Sequence, residues 1–318
     1  MNNNILLIIP YFGKFNNYFS LFLGSCRHNP TINWLIFTDD ETKYSYPNNV
    51  KVVYTTLHEV RQKIEERLGF SVALKTPYKL CDFKPAYGYI FSEYLDRYDF
   101  WGYCDTDMIF GDIRSFITDD ILNKSDKVLS RGHLSLWRNC RMMNEFFMTS
   151  TDGFYKTVFT TERNFSFDEW GKDGVANYLK KQLPENRFWD EIPYDDIHML
   201  KGNFVSSQRG AEGQSHTIYS YEQGKLKRYS FVNTSFGGGG KISCKSVLYV
   251  HFQKRNMIVK SERKTDKFII TPPNLFLPYQ EITSSVLLSS GRKIWIYPQY
   301  FTIRYRNLLR KIRNFFKR

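Results

Sequence analysis

The sequence has few of the features that mark secreted, zinc-binding or membrane-spanning chains. Its 318 residues include only 5 cysteines, scattered and without a Cys-x-x-Cys pair, which argues against a disulfide framework or a zinc knuckle. No uncharged apolar run reaches the ~18 residues that cross a bilayer. The first apolar run of the sequence, at 5–9, follows asparagines rather than the basic residues that precede the apolar part of a signal peptide. We therefore expect a cytoplasmic protein.

Acidic residues are absent from the C-terminal part. The formal net charge is +13, yet neither Asp nor Glu follows Glu281. We predict one folded domain over 1–285 and a basic amphipathic tail over 286–318 that binds the inner face of the cell membrane. Packing on the domain and nucleic-acid binding are the alternatives for this tail. The predicted apolar helical face, spaced by three and four, comprises Phe301, Tyr305, Leu308, Leu309, Ile312, Phe315 and Phe316.

The rest of the chain is rich in core-forming residues. It is 42% hydrophobic and 17% aromatic, which is ample for a large core. Apolar runs alternate with segments of helical spacing, and this predicts an α/β protein with a mostly parallel, doubly wound sheet. The first predicted strand ends at Pro10, and the others cover 32–40, 50–56, 100–110 and 247–252. The predicted helices cover 17–28, 57–69 and a stretch from about Pro85 to Asp99.

Acids stand where two of these apolar runs end, as TDD at 38–40 and DTD at 105–107. Ligands of doubly wound sheets bind beyond the carboxyl ends of the strands. Residues two apart in an extended segment point to the same side, so Asp105 and Asp107 are expected to present their carboxylates to one cation. Lys or Arg would make this a structural ion pair. Mn²⁺ or Mg²⁺, which prefer oxygen ligands, would make it a metal site, and we favour the metal.

Six stretches of the sequence give this acidic motif a context. They are IIPYFGKFNNYFSLFLGSC, NWLIFTDD, PYKLCDFKPAYGYIF, FWGYCDTDMIFGDI, RGHLSLWRN and FDEWG. Through them the sequence resembles the GT-A nucleotide-sugar glycosyltransferases, and more narrowly an uncharacterised bacterial family found among capsule and O-antigen synthesis genes. The resemblance implies a GT-A-like (Rossmann-like) doubly wound mixed sheet and a metal-dependent glycosyltransferase. It implies a nucleotide-sugar donor and a glycan or lipid-linked glycan acceptor as partners, with Mn²⁺ or Mg²⁺ held against the donor diphosphate by Asp105 and Asp107.

The resemblance also implies roles for five further residues. His251, from a late strand, would be a third metal ligand, although a lone histidine equally suits a core position. Lys254 would then contact phosphate. Asp39 would lie near the donor's base or ribose, rather than only capping a turn. Asp82 and Lys84 would contact the donor sugar and phosphate, although Asp82 also suits a helix N-cap.

Two aromatic segments with embedded polar groups, 132–139 and 167–171, suit an acceptor pocket. An inverting mechanism needs a carboxylate base for the acceptor hydroxyl, and we predict Asp168 or Glu169. A retaining mechanism needs none. The glycine run at 236–241 lacks the spacing of a phosphate-binding loop, so we predict a flexible loop or a lid.

Two other classes remain open at the level of sequence. A sugar nucleotidyltransferase also combines an α/β fold with acidic metal ligands, but it usually carries a glycine-rich basic loop after its first strand. A non-enzymatic basic module for membrane or nucleic acid would use the tail. The acids at strand ends oppose the nucleic-acid version, so no nucleic-acid partner is expected.

Overall fold

The computed structural model describes residues 3–169, 171, 173–207, 216–233, 240–262 and 265–315. The chain forms two compact units. Unit 1 comprises Met1–Phe15, Asn29–Thr106 and Ile117–Glu191, and unit 2 comprises Asn16–His28, Asp107–Phe116 and Ile192–Arg318. This division describes packing and not autonomous folding. The predicted domain over 1–285 and tail over 286–318 therefore stay predictions.

Strands make up much of both units. The strands are β1 (Ile5–Pro10), β2 (Ile32–Thr38), β3 (Val50–Tyr54), β4 (Phe100–Cys104), β5 (Met108–Phe110), β6 (Lys127–Arg131), β7 (Leu134–Arg138), β8 (Phe188–Trp189), β9 (Asp195–Asp196), β10 (Ile218–Glu222), β11 (Lys225–Asn233), β12 (Gly240–Ser246), β13 (Tyr249–His251), β14 (Ile258–Val259), β15 (Lys267–Thr271) and β16 (Leu275–Pro278).

The helices are shorter on average than the predicted ones. They are α1 (Phe19–Arg27), α2 (Leu57–Leu68), α3 (Tyr87–Ile90), α4 (Asp119–Lys124), α5 (Arg141–Asn144), α6 (Phe146–Thr149), α7 (Phe154–Thr160), α8 (Val175–Gln182), α9 (Ser284–Ser290) and α10 (Pro298–Phe315). The described residues also form 3₁₀ segments at Pro77–Ala86, Ser92–Tyr94, Ile113–Ser115 and Glu185–Arg187.

Unit 1 is built on a mixed sheet of seven strands in the order β3-β2-β1-β4-β7-β6-β8. The first four are parallel, with Ile5 opposite both Ile32 and Phe100. Strand β7 joins β4 in the antiparallel direction. The parallel part confirms the predicted alternation of strands and helices, and the antiparallel part makes the sheet mixed.

Local sequence signals explain why α2 begins and ends where predicted. The Thr56 hydroxyl accepts from the Glu59 amide while the Glu59 carboxylate accepts from the Thr56 amide, which is a capping box. Gly69 follows the last turn in the left-handed conformation (φ 76°). Val60 and Ile64 face inward and join the core of unit 1. The helix is therefore determined locally and fixed by one apolar stripe.

Two predicted elements are wrong in form. The helix predicted from Pro85 is a 3₁₀ segment over Pro77–Ala86 followed by the single turn α3. The strand predicted over 100–110 is interrupted. It consists of β4, in the sheet of unit 1, and β5, in a sheet of unit 2, with Asp105, Thr106 and Asp107 between them. Both acids therefore lie between two strands, and their binding of one cation stays a prediction.

The described part of unit 2 contains two sheets. One has six strands in the order β12-β11-β10-β15-β16-β14, and the other has three in the order β5-β13-β9. Their apolar residues form a core rich in aromatic rings, in which Phe252 and Phe276 lie edge to face at 5.6 Å. The predicted strand at 247–252 is confirmed as β13, although it is shorter. The predicted glycine-rich loop at 236–241 lies outside the described residues up to Gly239.

Helix α10 confirms that the C-terminal segment is helical. Its observed range, Pro298–Phe315, falls within the predicted tail. Phe316 and the side chain of Phe315 lie outside the described part of the chain. Among the residues that the structure describes, no helix combines the length and apolarity that a bilayer crossing requires.

Candidate functional site

Lys84 is the centre of an ion cluster in unit 1. Its ammonium lies 2.8 Å from Asp105 Oδ1 and 3.4 Å from Asp168 Oδ2, and it donates to the Gly132 carbonyl at 2.8 Å. Burial alone lowers the pKa of Lys84, but the neighbouring negative charges, with that of Asp105 first, outweigh it and raise the pKa well above its ordinary value. Lys84 is therefore a permanently charged cation between two predicted site acids.

The two carboxylates of this cluster differ in environment. The side chain of Asp105 is 35% exposed, whereas that of Asp168 is 5% exposed. Burial raises the pKa of Asp168 to about 7, against the lowering effect of Lys84. A carboxyl whose pKa lies near neutrality is suited to accept a proton from a hydroxyl. Asp105 keeps access to solvent and hence to a ligand.

Gly132 stands beside this cluster, in the turn between β6 and β7. A Cβ on Gly132 would overlap Asp168 Oδ2 and lie 2.9 Å from Glu169 Oε1. The two carboxylates predicted as candidate bases thus lie against the same stretch of backbone. Their close approach to the backbone requires a residue without a side chain at position 132.

Asp82 holds the segment that carries Asp168. Its carboxylate pairs with Lys79 at 2.8 Å and accepts from the amides of Phe165 and Phe167. Asp82 is fully buried, and these bonds occupy both of its oxygens. The geometry gives Asp82 a positioning role, and the donor contact predicted for it stays a prediction.

His251 is the centre of a second cluster, which lies in unit 2. Strand β13 pairs with β5 on one side and β9 on the other, which sets His251 opposite Met108 and Asp196. His251 Nδ1 is 2.8 Å from Asp196 Oδ1, and its Nε2 is 3.2 Å from Asp107 Oδ1. The register of three short strands therefore places Asp107, His251 and Asp196 in a row.

The geometry of this row resembles that of a metal-binding histidine, His251, supported by a carboxylate, Asp196. Burial alone lowers the pKa of His251, but Asp107 and Asp196 raise it well above its ordinary value. Metal-binding histidines commonly donate their other ring N–H to a carboxylate, as Nδ1 can to Asp196. Two ligand atoms that each lie about 2.1 Å from an ion, with an angle of about 90° at the ion, are about 3 Å apart. The separation of Asp107 Oδ1 and His251 Nε2 fits that value.

The remaining predicted residues lie outside these clusters. Asp39 is exposed and accepts from the Gly13 amide at 2.7 Å. Its neighbour Asp40 is buried and bonds to Lys14 and Phe15, which fixes the loop after β1. Lys254 is exposed, and its carbonyl accepts from a glutamine of α10. The binding roles predicted for Asp39 and Lys254 stay predictions.

Sequence reasoning missed Asp196 and Gln253. The amide of Gln253 donates to Asp196 Oδ1 at 2.8 Å, so it supports the same carboxylate as His251. A signal for Asp196 was present, because YDD at 194–196 is a short acidic cluster of the same kind as TDD and DTD. Its relation to His251 depends on pairing across 55 residues, which no local pattern contains.

The fold and the two clusters define a mixed α/β protein with one lysine–carboxylate site and one histidine–carboxylate site. A family model described as a family of unknown function, DUF6625, matches residues 7–279, and the chain belongs to this family. No curated protein sequence matches it. Among solved structures, the chain is similar to mouse xyloside xylosyltransferase 1 in its apo form, at 9% identity and a TM-score of 0.38. That match covers 62% of this chain and 88% of the other.

Proposed function

We propose that the protein is a metal-dependent glycosyltransferase that takes a sugar from a nucleotide-sugar donor. The observation that carries the proposal is the row Asp107–His251–Asp196, which joins a partly exposed carboxylate to a supported imidazole. Asp105 joins the proposed ligands from the sequence, because it stands two positions before Asp107 in the DTD motif. The motif and its place after an apolar strand resemble those of the GT-A enzymes.

Mn²⁺ or Mg²⁺ bound by Asp107 and His251 would supply positive charge for the diphosphate of the leaving nucleotide. The chain's own contribution on this side is orientation. Asp196 fixes the ring of His251 by accepting from Nδ1, and the side chain of Asp107 is 27% exposed. The ligand atoms are thus held in place before an ion binds, which limits the ordering cost of binding.

The cluster in unit 1 supplies the acid–base part of the proposal. Asp168 would accept the proton of the acceptor hydroxyl, with Glu169 as the neighbouring second candidate. Lys84 would hold the Asp168 carboxylate in place and offset the charge of Asp105. Support for this role comes from the burial of Asp168 and from its pKa near 7.

The proposed acceptor is a bacterial surface glycan carried on a lipid. This part rests on the resemblance of the sequence to capsule and O-antigen synthesis proteins. A test that does not require the acceptor is a screen of nucleotide sugars for hydrolysis in the presence of Mn²⁺. We expect one nucleotide sugar to be hydrolysed with Mn²⁺ and not with EDTA. Absence of metal-dependent hydrolysis or binding for every donor would contradict the proposal.

Thermal unfolding separates this proposal from the alternatives. A nucleoside diphosphate with Mn²⁺ is expected to raise the Tm, because a ligand that binds only the folded state stabilises it. The same nucleotide with EDTA is expected to leave the Tm nearly unchanged. Stabilisation by a nucleoside triphosphate with a sugar phosphate, and not by a nucleoside diphosphate, would instead indicate a sugar nucleotidyltransferase.

Replacement of His251 by Ala is expected to lower the affinity for Mn²⁺ more than it lowers stability. Replacement of Asp196 by Asn is expected to weaken Mn²⁺ binding about 10- to 100-fold through loss of the ring's support. Titration calorimetry with Mn²⁺ and chemical unfolding measure both effects. The matched control is Asp195→Asn, because Asp195 pairs with Arg228 at 3.2 Å and is expected to affect stability alone. Unfolding of His251→Ala with Mn²⁺ affinity intact would make His251 a core residue.

A further inference from the structure

Helix α10 attaches to unit 2 by one side. Ile303 is buried at 7% exposure, as is Tyr297 just before the helix. The Tyr297 hydroxyl donates to Gln299 Oε1 at 2.6 Å, and the Gln299 amide donates to the Lys254 carbonyl at 2.6 Å. The start of the helix is therefore fixed by hydrogen bonds as well as by packing.

The side of α10 that faces away from this attachment is apolar. With 3.6 residues per turn, positions 301, 305, 308 and 312 share one side, and position 303 lies about half a turn away. Phe301 is 63% and Tyr305 is 62% exposed. An ordinary surface helix buries its apolar stripe, whereas α10 exposes it. The exposed apolar residues of the stripe are Phe301, Tyr305, Leu308, Leu309 and Ile312.

The turn before α10 continues the exposed apolar surface. Trp295 is 82% and Ile296 is 75% exposed, and the Lys293 ammonium lies 3.9 Å from the indole ring centroid. This turn is held by Asn203, which accepts from the Ile294 amide at 2.9 Å. A tryptophan beside a lysine next to an apolar stripe is the arrangement that suits the boundary between lipid headgroups and water.

The charge of the segment selects among occupants for this surface. Residues 292–318 contain nine basic residues and no acidic one. A second copy of the chain would bring like charges together on both sides of an apolar helix pair, which opposes a dimer. A nucleic acid would pair its phosphates with the basic residues but would leave the apolar stripe exposed to water. An anionic bilayer matches both properties, because it offers phosphate at its surface and an apolar layer just below.

We propose that α10 and the turn at 293–296 form a membrane-binding surface that lies in the headgroup region of anionic lipid bilayers. The stripe enters the bilayer surface while Ile303 keeps the helix attached to unit 2. Arg304 and Arg306, both exposed, contact lipid phosphates beside the stripe. This inference is independent of the reaction proposed above and its test involves no sugar transfer.

The test is sedimentation of the full chain with phosphatidylcholine vesicles, with and without phosphatidylglycerol. We expect binding that requires phosphatidylglycerol and weakens with salt. The variant Phe301→Gln/Leu308→Gln is expected to bind at least about tenfold more weakly through loss of apolar insertion. Each of Arg304→Gln and Arg306→Gln is expected to weaken binding about fivefold. Both sets of positions are exposed, so folding is expected to be preserved and is checked by circular dichroism.

The matched control is Ile258→Gln/Tyr279→Gln, which removes two exposed apolar residues of unit 2 outside the helix and is expected to bind as the unchanged chain does. Equal vesicle binding by the Phe301/Leu308 variant and the unchanged chain would overturn the proposal. Binding to duplex DNA without binding to vesicles would also overturn it. So would a dimer in light scattering that the Phe301/Leu308 variant dissociates, if vesicle binding is absent.

Discussion

Replacement of Asp107 by Asn is expected to lower sugar transfer by at least about a thousandfold. The amide retains the shape of the side chain but loses the negative charge that a divalent ion requires. It also removes the negative charge that faces His251 Nε2 at 3.2 Å. The variant is expected to lose Mn²⁺-dependent nucleotide binding. It is expected to stay folded and to show one cooperative transition on heating. Donor hydrolysis, nucleotide titration with Mn²⁺ and thermal unfolding measure these three properties.

The matched control for Asp107 is Asp112→Asn. Asp112 belongs to the same DTDMIFGD stretch, but its carboxylate accepts from the Ser115 amide and begins a 3₁₀ segment. We expect this control to keep its metal binding and its activity. Full activity in Asp107→Asn would refute the metal assignment, whereas loss of activity in both variants would show a general sensitivity of the segment.

Replacement of Asp168 by Asn is expected to lower sugar transfer by about a hundredfold or more. It is also expected to remove the loss of stability that the unchanged chain undergoes as the pH rises to neutrality. Burial raises the pKa of Asp168 from its ordinary 3.8 to about 7. Between these values the folded protein binds a proton that the unfolded chain has released. The free energy of unfolding therefore falls as the pH rises through this window. The asparagine variant lacks this dependence, and Lys84 keeps Asp105 and the Gly132 carbonyl as partners.

Chemical unfolding at about pH 5 and about pH 8 measures this difference. Relative to the variant, the unchanged chain is expected to lose on the order of 3 kcal/mol between these pH values. The rate of transfer is expected to rise with pH toward a plateau above about 7. Asp173→Asn is the matched control, because Asp173 belongs to the same segment and pairs with Arg163 near the surface. Full activity in Asp168→Asn would assign the base to Glu169 or to none.

Local signals in the sequence predicted the elements that local physics controls. Helix α2 follows from its capping box, its apolar stripe and Gly69, each of which is a relation over three or four residues. The strands β1 and β2 follow from apolar runs long enough to be buried on both faces. The 3₁₀ form of Pro77–Ala86 was not predictable in this way. Lys79 and Asp82 hold it through bonds to residues about 80 positions away.

The row Asp107–His251–Asp196 shows the same limit for the site. The sequence indicated Asp107 by its place at the end of an apolar run, and the resemblance to the GT-A enzymes indicated His251. Antiparallel pairing of β5 with β13 decided that they are neighbours, and parallel pairing with β9 added Asp196. These three strands lie far apart in the chain. Register between distant strands is set by the packing of the whole core and has no local sequence signal.

The sequence by itself determined the alternation of strands and helices, the positions of the acids and the charge and helical spacing of the C-terminal segment. Each of these depends on residue type and on separations within one or two turns. The tertiary structure alone decided that the strands on either side of DTD belong to different sheets, that Asp82 is buried with both oxygens bonded and that α10 packs through Ile303 with its apolar stripe in solvent. Those outcomes depend on which surfaces remain uncovered once distant segments have packed, and no short window of sequence contains that information.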